Sequence, residues 1–224
     1  MKKCDNNFQL QNAYKKALAI SENNIVNVEE YLIGYDLVSI DFVFNGEIIH
    51  IATIGEISTG EPGFDGIGWY SCQKNESFDK LAKETFITIK EKLGIKNGFF
   101  QSAMKVNIKT SQAKVYEIHS EIGGDFVNDI FIPNITEDYN IFKNNILLSL
   151  NIRPESSEKI VKPAIILFQD KVNEYTLCYK SEMIDKVVSS KKHLLLLFKS
   201  YSLLKSYLKN ISSQDNISIN NIPA

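Results

Sequence analysis

Arginine is almost absent from this chain. Of 25 basic residues among 224, only Arg153 is an arginine. The guanidinium group is the preferred bidentate clamp for carboxylate and phosphate, so lysine must serve nearly every such contact here. Cysteine is scarce too. Cys4, Cys72 and Cys178 lie far apart, form no CxxC pair and are odd in number. That argues against a sequence-encoded zinc site and fits a reducing compartment better than a disulfide framework. Residues 1–20 hold no apolar core before a cleavage site, so no signal peptide is read. The longest apolar run, HLLLLF at 193–198, falls far short of a membrane span. With a net charge of −2 the chain offers no broad basic surface for nucleic acid. The expected setting is cytoplasmic, with neither membrane nor nucleic acid as partner.

What remains is an ordinary globular composition, enough for one large domain or two small ones. Leu10, Ala13, Tyr14, Ala17 and Leu18 recur at helical spacing and predict a helix over 7–21. IVNVEEYL (25–32) reads as a short strand ending in a turn at Ile33-Gly34. DLVSIDFVF and EIIHIATI flank Asn45-Gly46, the favoured type I′ turn pair, and predict a long hairpin. The stretch 58–77 is rich in glycine and polar residues and reads as a long loop that includes Trp69 and Tyr70. A helix follows from Ser77 to a glycine stop at Gly94. GFFQSAMKVNI and KVYEIHSEI read as two strands, and helices are expected from near Asp125 and over 138–150. Beyond the polar junction 151–162, PAIILFQD, EYTLCYK and HLLLLFKS are strand candidates, and SLLKSYLKNI closes as a helix. The class is α+β, with a mainly antiparallel sheet built from hairpins.

The chemistry centres on Glu117 and His119, two residues apart on a predicted strand and therefore on one face. An acid beside an imidazole can bind a divalent cation or act as an acid–base pair. The plainer reading is a polar, exposed strand face. Gly123-Gly124 then allows close approach of backbone to a ligand, and a helix start after it would favour an anion. VNVEEYLIGYD is either a solvated strand end or an interdomain hinge whose backbone reads the edge of a purine. His50 and His193 read as structural or exposed. Trp69 and Tyr70 read as packed aromatics or as a gate, and Lys105 as a surface residue or a phosphate contact.

Three motifs in order carry a resemblance: VEEYLIGYD (28–36), LGIKNG (93–98) and YEIHSEIGGD (116–125). Over roughly residues 1–150 the chain resembles the ATP-grasp superfamily. Residues 151–224 look like the small strand-rich C-terminal lobe of several branches. The resemblance implies an ATP-grasp-like fold and an ATP-dependent ligase that activates a carboxylate as an acyl phosphate for attack by an amine. It implies ATP and Mg2+ as cofactors and a small-molecule carboxylate as substrate. Glu29, Glu30, Tyr31 and Leu32 would form the adenine hinge, with Asp36 close to the nucleotide. Glu117 would ligate magnesium, with His119 as second ligand or substrate contact. Gly123, Gly124 and Asp125 would shape the phosphate pocket. Two positions depart from the pattern. Ala103 stands where the first metal-binding Glu is expected, and Glu121 where an Arg is typical. The resemblance also places Met1 just after a phosphate-covering loop, so an N-terminal ATP-grasp half is expected as a partner or preceding segment. The rival readings are a catalytically degenerate domain that binds nucleotide or a partner, and an unrelated α+β interaction module.

Overall fold

Asn45 and Gly46, at φ 52° and 81°, close the central hairpin of the computed structural model, which describes residues 2–59, 66–124, 126–156, 161–168, 180–212 and 217–218. These left-handed angles match the twist of the flanking strands, as the type I′ pair requires. The arms are β1 (Tyr35–Phe44) and β2 (Glu47–Thr59). Around them the chain adds β3 (Gly66–Ser71), β4 (Gly98–Asn107), β5 (Gln112–His119), β6 (Ala164–Phe168), β7 (Ile184–Ser189) and β8 (His193–Phe198). The sheet order is β5-β4-β1-β2-β3-β6-β8-β7, and the short β9 (Ile217–Ser218) pairs with the end of β2. All described pairings are antiparallel. The boundary read at residue 150 falls between the helix Ile141–Ser149 and β6, and beyond it β6, β7 and β8 continue the same sheet.

Alternation along the strands builds a core on each face. On one face Leu37, Met104, Ile165, Leu167, Leu194 and Leu196 pack with residues of α2 (Ser77–Leu93) and α5 (Tyr201–Ser212). On the other, Val38, Ile40, Ala103, Ile166, Leu195 and Leu197 pack under the segment 127–141. This explains HLLLLF: β8 is covered on both sides, so each residue in the run is buried. Gly94 ends α2 at φ 65°, as the sequence predicts.

The structure corrects several expectations. Residues 25–33 form no strand, and among the described residues no neighbouring strand pairs with them. An extended segment without a ladder partner remains a connector. The expected long loop contains β3, so Trp69 and Tyr70 sit in the middle of the sheet. The helix expected near Asp125 starts at Val127 as a five-residue π-helical turn and runs into α3 (Ile132–Ile135). Pro133 lies in the first turn of α3, directly after the π-helical turn. The last helix of this region, α4, spans Ile141–Ser149. β7 was not anticipated: Asp185, Lys186 and Ser189 are polar and exposed, and of its six residues only Ile184 is buried. The strand candidate EYTLCYK lies outside the described residues except for Lys180.

Candidate functional site

The odd-numbered residues of β4 organise one face of the sheet. Gln101 and Ala103 line a cleft of about 330 Å³, and Lys105 and Asn107 line a smaller cavity of about 180 Å³ beside it. On β5, Gln112 and Lys114 face the smaller cavity, while Tyr116, Glu117 and His119 face the cleft. The change of parity comes from a bulge that sets Ala103 opposite Glu117 and Met104 opposite Val115. The rest of the cleft wall is Val38, Ile54, Glu56, Trp69, Glu121, Gly123, Val127 and Asn128.

Glu117 and His119 are brought together, with Oε1 and Nε2 3.1 Å apart, and both are half exposed to the cleft. Opposite them the acid that would complete a metal set is missing, since Ala103 is buried among apolar neighbours. Among the described residues no group of three or more histidines, cysteines or acids is arranged to hold a metal. Gln101, on the same wall, donates its side-chain N–H to Asn128 Oδ1 at 3.2 Å. Asn128 in turn donates to the Gly123 carbonyl at 3.0 Å, which fixes the glycine against the cleft wall. Gly124 is exposed, with open space where a side chain would be. Asp125 lies outside the described residues.

The smaller cavity holds Glu30, Tyr31 and Leu32, whereas Glu29 is exposed and lines neither cavity. Lys114 Nζ reaches both oxygens of Glu30 at 2.6 and 2.7 Å. Asp36 sits between the two cavities. It pairs with Lys105 and accepts from Tyr116 Oη at 3.5 Å. Partial burial, followed by the negative charge of Asp36 and Glu56, pushes the Tyr116 hydroxyl well above its usual range. Tyr116 therefore stays a neutral donor beside the cleft. Among the described residues, the backbone of residues 26–33 makes no hydrogen bond, which leaves its donors and acceptors open to a ligand.

Gly34 fixes where this connector meets the sheet. Its φ is +150°, and a Cβ there would stand 2.6 Å from the carbonyl oxygen of Val106. Gly34→Ala is expected to lower stability by about 2 kcal/mol and to displace residues 30–33 from the cavity. An unchanged urea midpoint would show that the close approach does not matter.

Sequence reasoning grouped Glu117, His119, Gly123 and the hinge; the structure sets the first three on the cleft and Glu30, Tyr31 and Leu32 in the smaller cavity beside it. Sequence reasoning missed Glu56, Tyr116 and Asn128. Glu56 is two residues from Ile54 on β2, so strand alternation held a signal for it. Tyr116 joins only through the bulge. Asn128 is a polar residue inside an apolar segment, and it is buried.

This architecture is an ATP-grasp fold. It is similar to an L-amino acid ligase from Bacillus licheniformis at a TM-score of 0.66 and 15% identity, covering 97% of this chain and 62% of that one. It is also similar to phosphoribosylglycinamide synthetase from Anaerococcus prevotii (TM-score 0.61, 13% identity, 97% and 62% covered). A third likeness is to biotin carboxylase from Campylobacter jejuni in complex with β-γ-ATP (TM-score 0.62, 13% identity, 95% and 54% covered). The chain thus spans less than two thirds of the length of these neighbours. No family model and no curated protein matches the sequence. Among the described residues no helix is long and apolar enough to cross a membrane. Cys4 and Cys72 are free thiols, and burial pushes that of Cys72 far above its ordinary value.

Proposed function

We propose that this chain is the nucleotide-binding, acid-bearing part of an ATP-dependent ligase. The reaction class is activation of a small-molecule carboxylate as an acyl phosphate, followed by attack of an amine. The observation that carries the reading is the shared sheet face. The Glu117–His119 pair and the Glu30–Leu32 cavity lie side by side on it, in the order an extended nucleotide needs. The open backbone of residues 30–32 would read the base, with Glu29 at the rim. Asp36, Lys105 and Tyr116 would meet the sugar and the near phosphate. Gly123 and Gly124, with Asp125, would flank the terminal phosphates.

Glu117 and His119 supply an anionic oxygen and a neutral nitrogen, a set that fits a magnesium ion keeping most of its ligands as water and phosphate oxygen. When bound, that ion would neutralise charge on the phosphates. Glu117 would release its contact with His119, and Asn128 would keep the Gly123 carbonyl turned out of the phosphate path.

Among the described residues, the cleft is lined by no lysine and no arginine. A triphosphate there needs cations from elsewhere, and a further polypeptide segment over the cleft is the proposed source. The helix α1 (Asn7–Ile20) buries no residue, and Phe8 and Ile20 on it and Ile25 and Ile33 after it are exposed. Those exposed apolar side chains fit a covering segment. The free thiols fit a cytoplasmic setting.

Ala103 and Glu121 favour a second reading, in which the cleft binds nucleotide without turnover. The only tryptophan, Trp69, lines the cleft, so its fluorescence reports occupancy. Mg·ATP is expected to change that signal saturably, and Glu117→Gln to weaken binding about tenfold or more. Equal affinity in the variant would remove Glu117 from the site. Turnover of ATP with a carboxylate and an amine separates the ligase reading from the binding one.

A further inference from the structure

The register of the sheet sets four cleft residues in one row. Glu117 on β5 pairs with Ala103 on β4, Ala103 with Val38 on β1, and Val38 with Ile54 on β2. All four line the cleft. Directly paired residues share a face, so the row runs unbroken across four strands, about 14 Å at the usual interstrand spacing. We propose that this row seats the body of the carboxylate substrate, and that the substrate is an apolar monocarboxylic acid. Its carboxylate lies at the Glu117 end, beside the terminal phosphates, and its uncharged chain or ring lies over Ala103, Val38 and Ile54. The assignment rests on the ligase reading above and gives its acid a chemical class.

The neighbouring rows confine the occupant. On one side the row is polar: Lys105 pairs with Asp36, and Glu56 with Trp69. Lys105 also lines the smaller cavity, so this side belongs to the proposed nucleotide path. On the other side Gln101 pairs with His119 and with Ile40. Ile40 is fully buried in the core under the segment 127–141, so the cleft ends there. Val127 of that segment lines the cleft as well.

The chemistry of the row selects the class. Ala103, Val38, Ile54 and Val127 offer only hydrocarbon side chains. A charged or hydroxylated body laid on them would lose water without gaining a hydrogen-bond partner. At the far end Trp69 of β3 closes the trench beside Glu56. Among the described residues no lysine or arginine lines the cleft, so a second carboxylate meets no cation there. Position 103 is decisive. A glutamate there, as the ATP-grasp resemblance expects, would interrupt the row directly beside Glu117, whereas alanine makes its apolar part continuous.

The test is a titration of the full chain, followed by Trp69 fluorescence, first with Mg·ATP and then, in saturating Mg·ADP, with acetate, butyrate, hexanoate and succinate. Affinity is expected to rise from acetate through butyrate to hexanoate, about tenfold or more in all, with succinate no tighter than acetate. Val38→Thr keeps the shape of the side chain and places a hydroxyl under the ligand. It should weaken hexanoate about threefold or more and leave acetate unchanged, and a native-like amide spectrum verifies its fold. A response to Mg·ATP with no gradient among the acids, with succinate tighter than butyrate, or with a gradient that Val38→Thr does not reduce, overturns the assignment and leaves the ligase reading standing. A flat gradient is also the result expected if a polypeptide segment fills the row. If Mg·ATP leaves Trp69 silent, the ligase reading fails and the assignment falls with it.

Discussion

Replacing His50 with alanine is expected to cost about 3–5 kcal/mol of stability, the range for removing one partner of a buried ion pair. The substitution would strand two carboxylates, Asp41 and Asp79, which are 0% and 3% exposed. Each now shares a ring nitrogen of His50, so α2 and the central hairpin are joined by one imidazolium. Burial opposes the charge, but the two acids together raise the imidazole from 6.5 to about 9. The direction with pH follows from that order. The contribution is complete below the unfolded value of 6.5 and is lost as pH rises through about 9. The interval corresponds to about 3 kcal/mol. Asp79 acts in the opposite sense. Its carboxyl is buried, yet its hydrogen bond from His50 holds it below the ordinary 3.8, so its share is lost as pH falls below that range. Urea midpoints at about pH 6 and about pH 9.5 should differ strongly in the native chain and much less in His50→Ala. A native midpoint that is flat across that interval would mean His50 is not held as a cation.

That network shows where sequence reading stops. His50 looked structural or exposed, and nothing local to EIIHIATI indicates Asp79, which is 29 residues away. The hairpin was readable because Asn45-Gly46 dictates its own turn angles. β3 was not, because Gly66 and Gly68 look like loop residues. In the fold, Gly68 is required by contact: the carbonyl of Ile166 on β6 occupies the place a Cβ would take. The hinge shows the reverse error. VNVEEYL has strand character, but a strand needs a partner, and among the described residues it has none.

The cleft was half readable for similar reasons. Two residues apart on a strand is enough to put Glu117 beside His119. The motif order grouped both with the hinge, whose Glu30–Leu32 the structure sets in a neighbouring cavity. The bulge that turns Tyr116 inward, and the Gln101–Asn128–Gly123 chain that sets the back wall, depend on contacts across strands and loops.

Ala103→Glu is therefore expected to gain function rather than lose it. The position pairs directly with Glu117 across β4 and β5 and lines the cleft. A carboxylate there would stand beside that of Glu117, on a rigid strand, where the ATP-grasp resemblance places the first magnesium ligand. Two adjacent carboxylates bind a divalent cation more strongly than one acid and one imidazole, because magnesium prefers oxygen. Affinity for Mg2+, read as the Mg2+ dependence of nucleotide-induced Trp69 fluorescence, is expected to rise about tenfold. The change carries a cost. Ala103 is 7% exposed and packs against Val38 and Ile54. An unpaired carboxylate among them should lower stability by about 1–3 kcal/mol without metal. Magnesium should restore part of that loss by mass action, so the thermal midpoint of the variant should rise with added Mg2+ more than that of the native chain. If neither affinity nor midpoint responds to Mg2+, Glu117 does not face a metal position. The Glu117–His119 pair is then better read as an acid–base pair or a polar strand face.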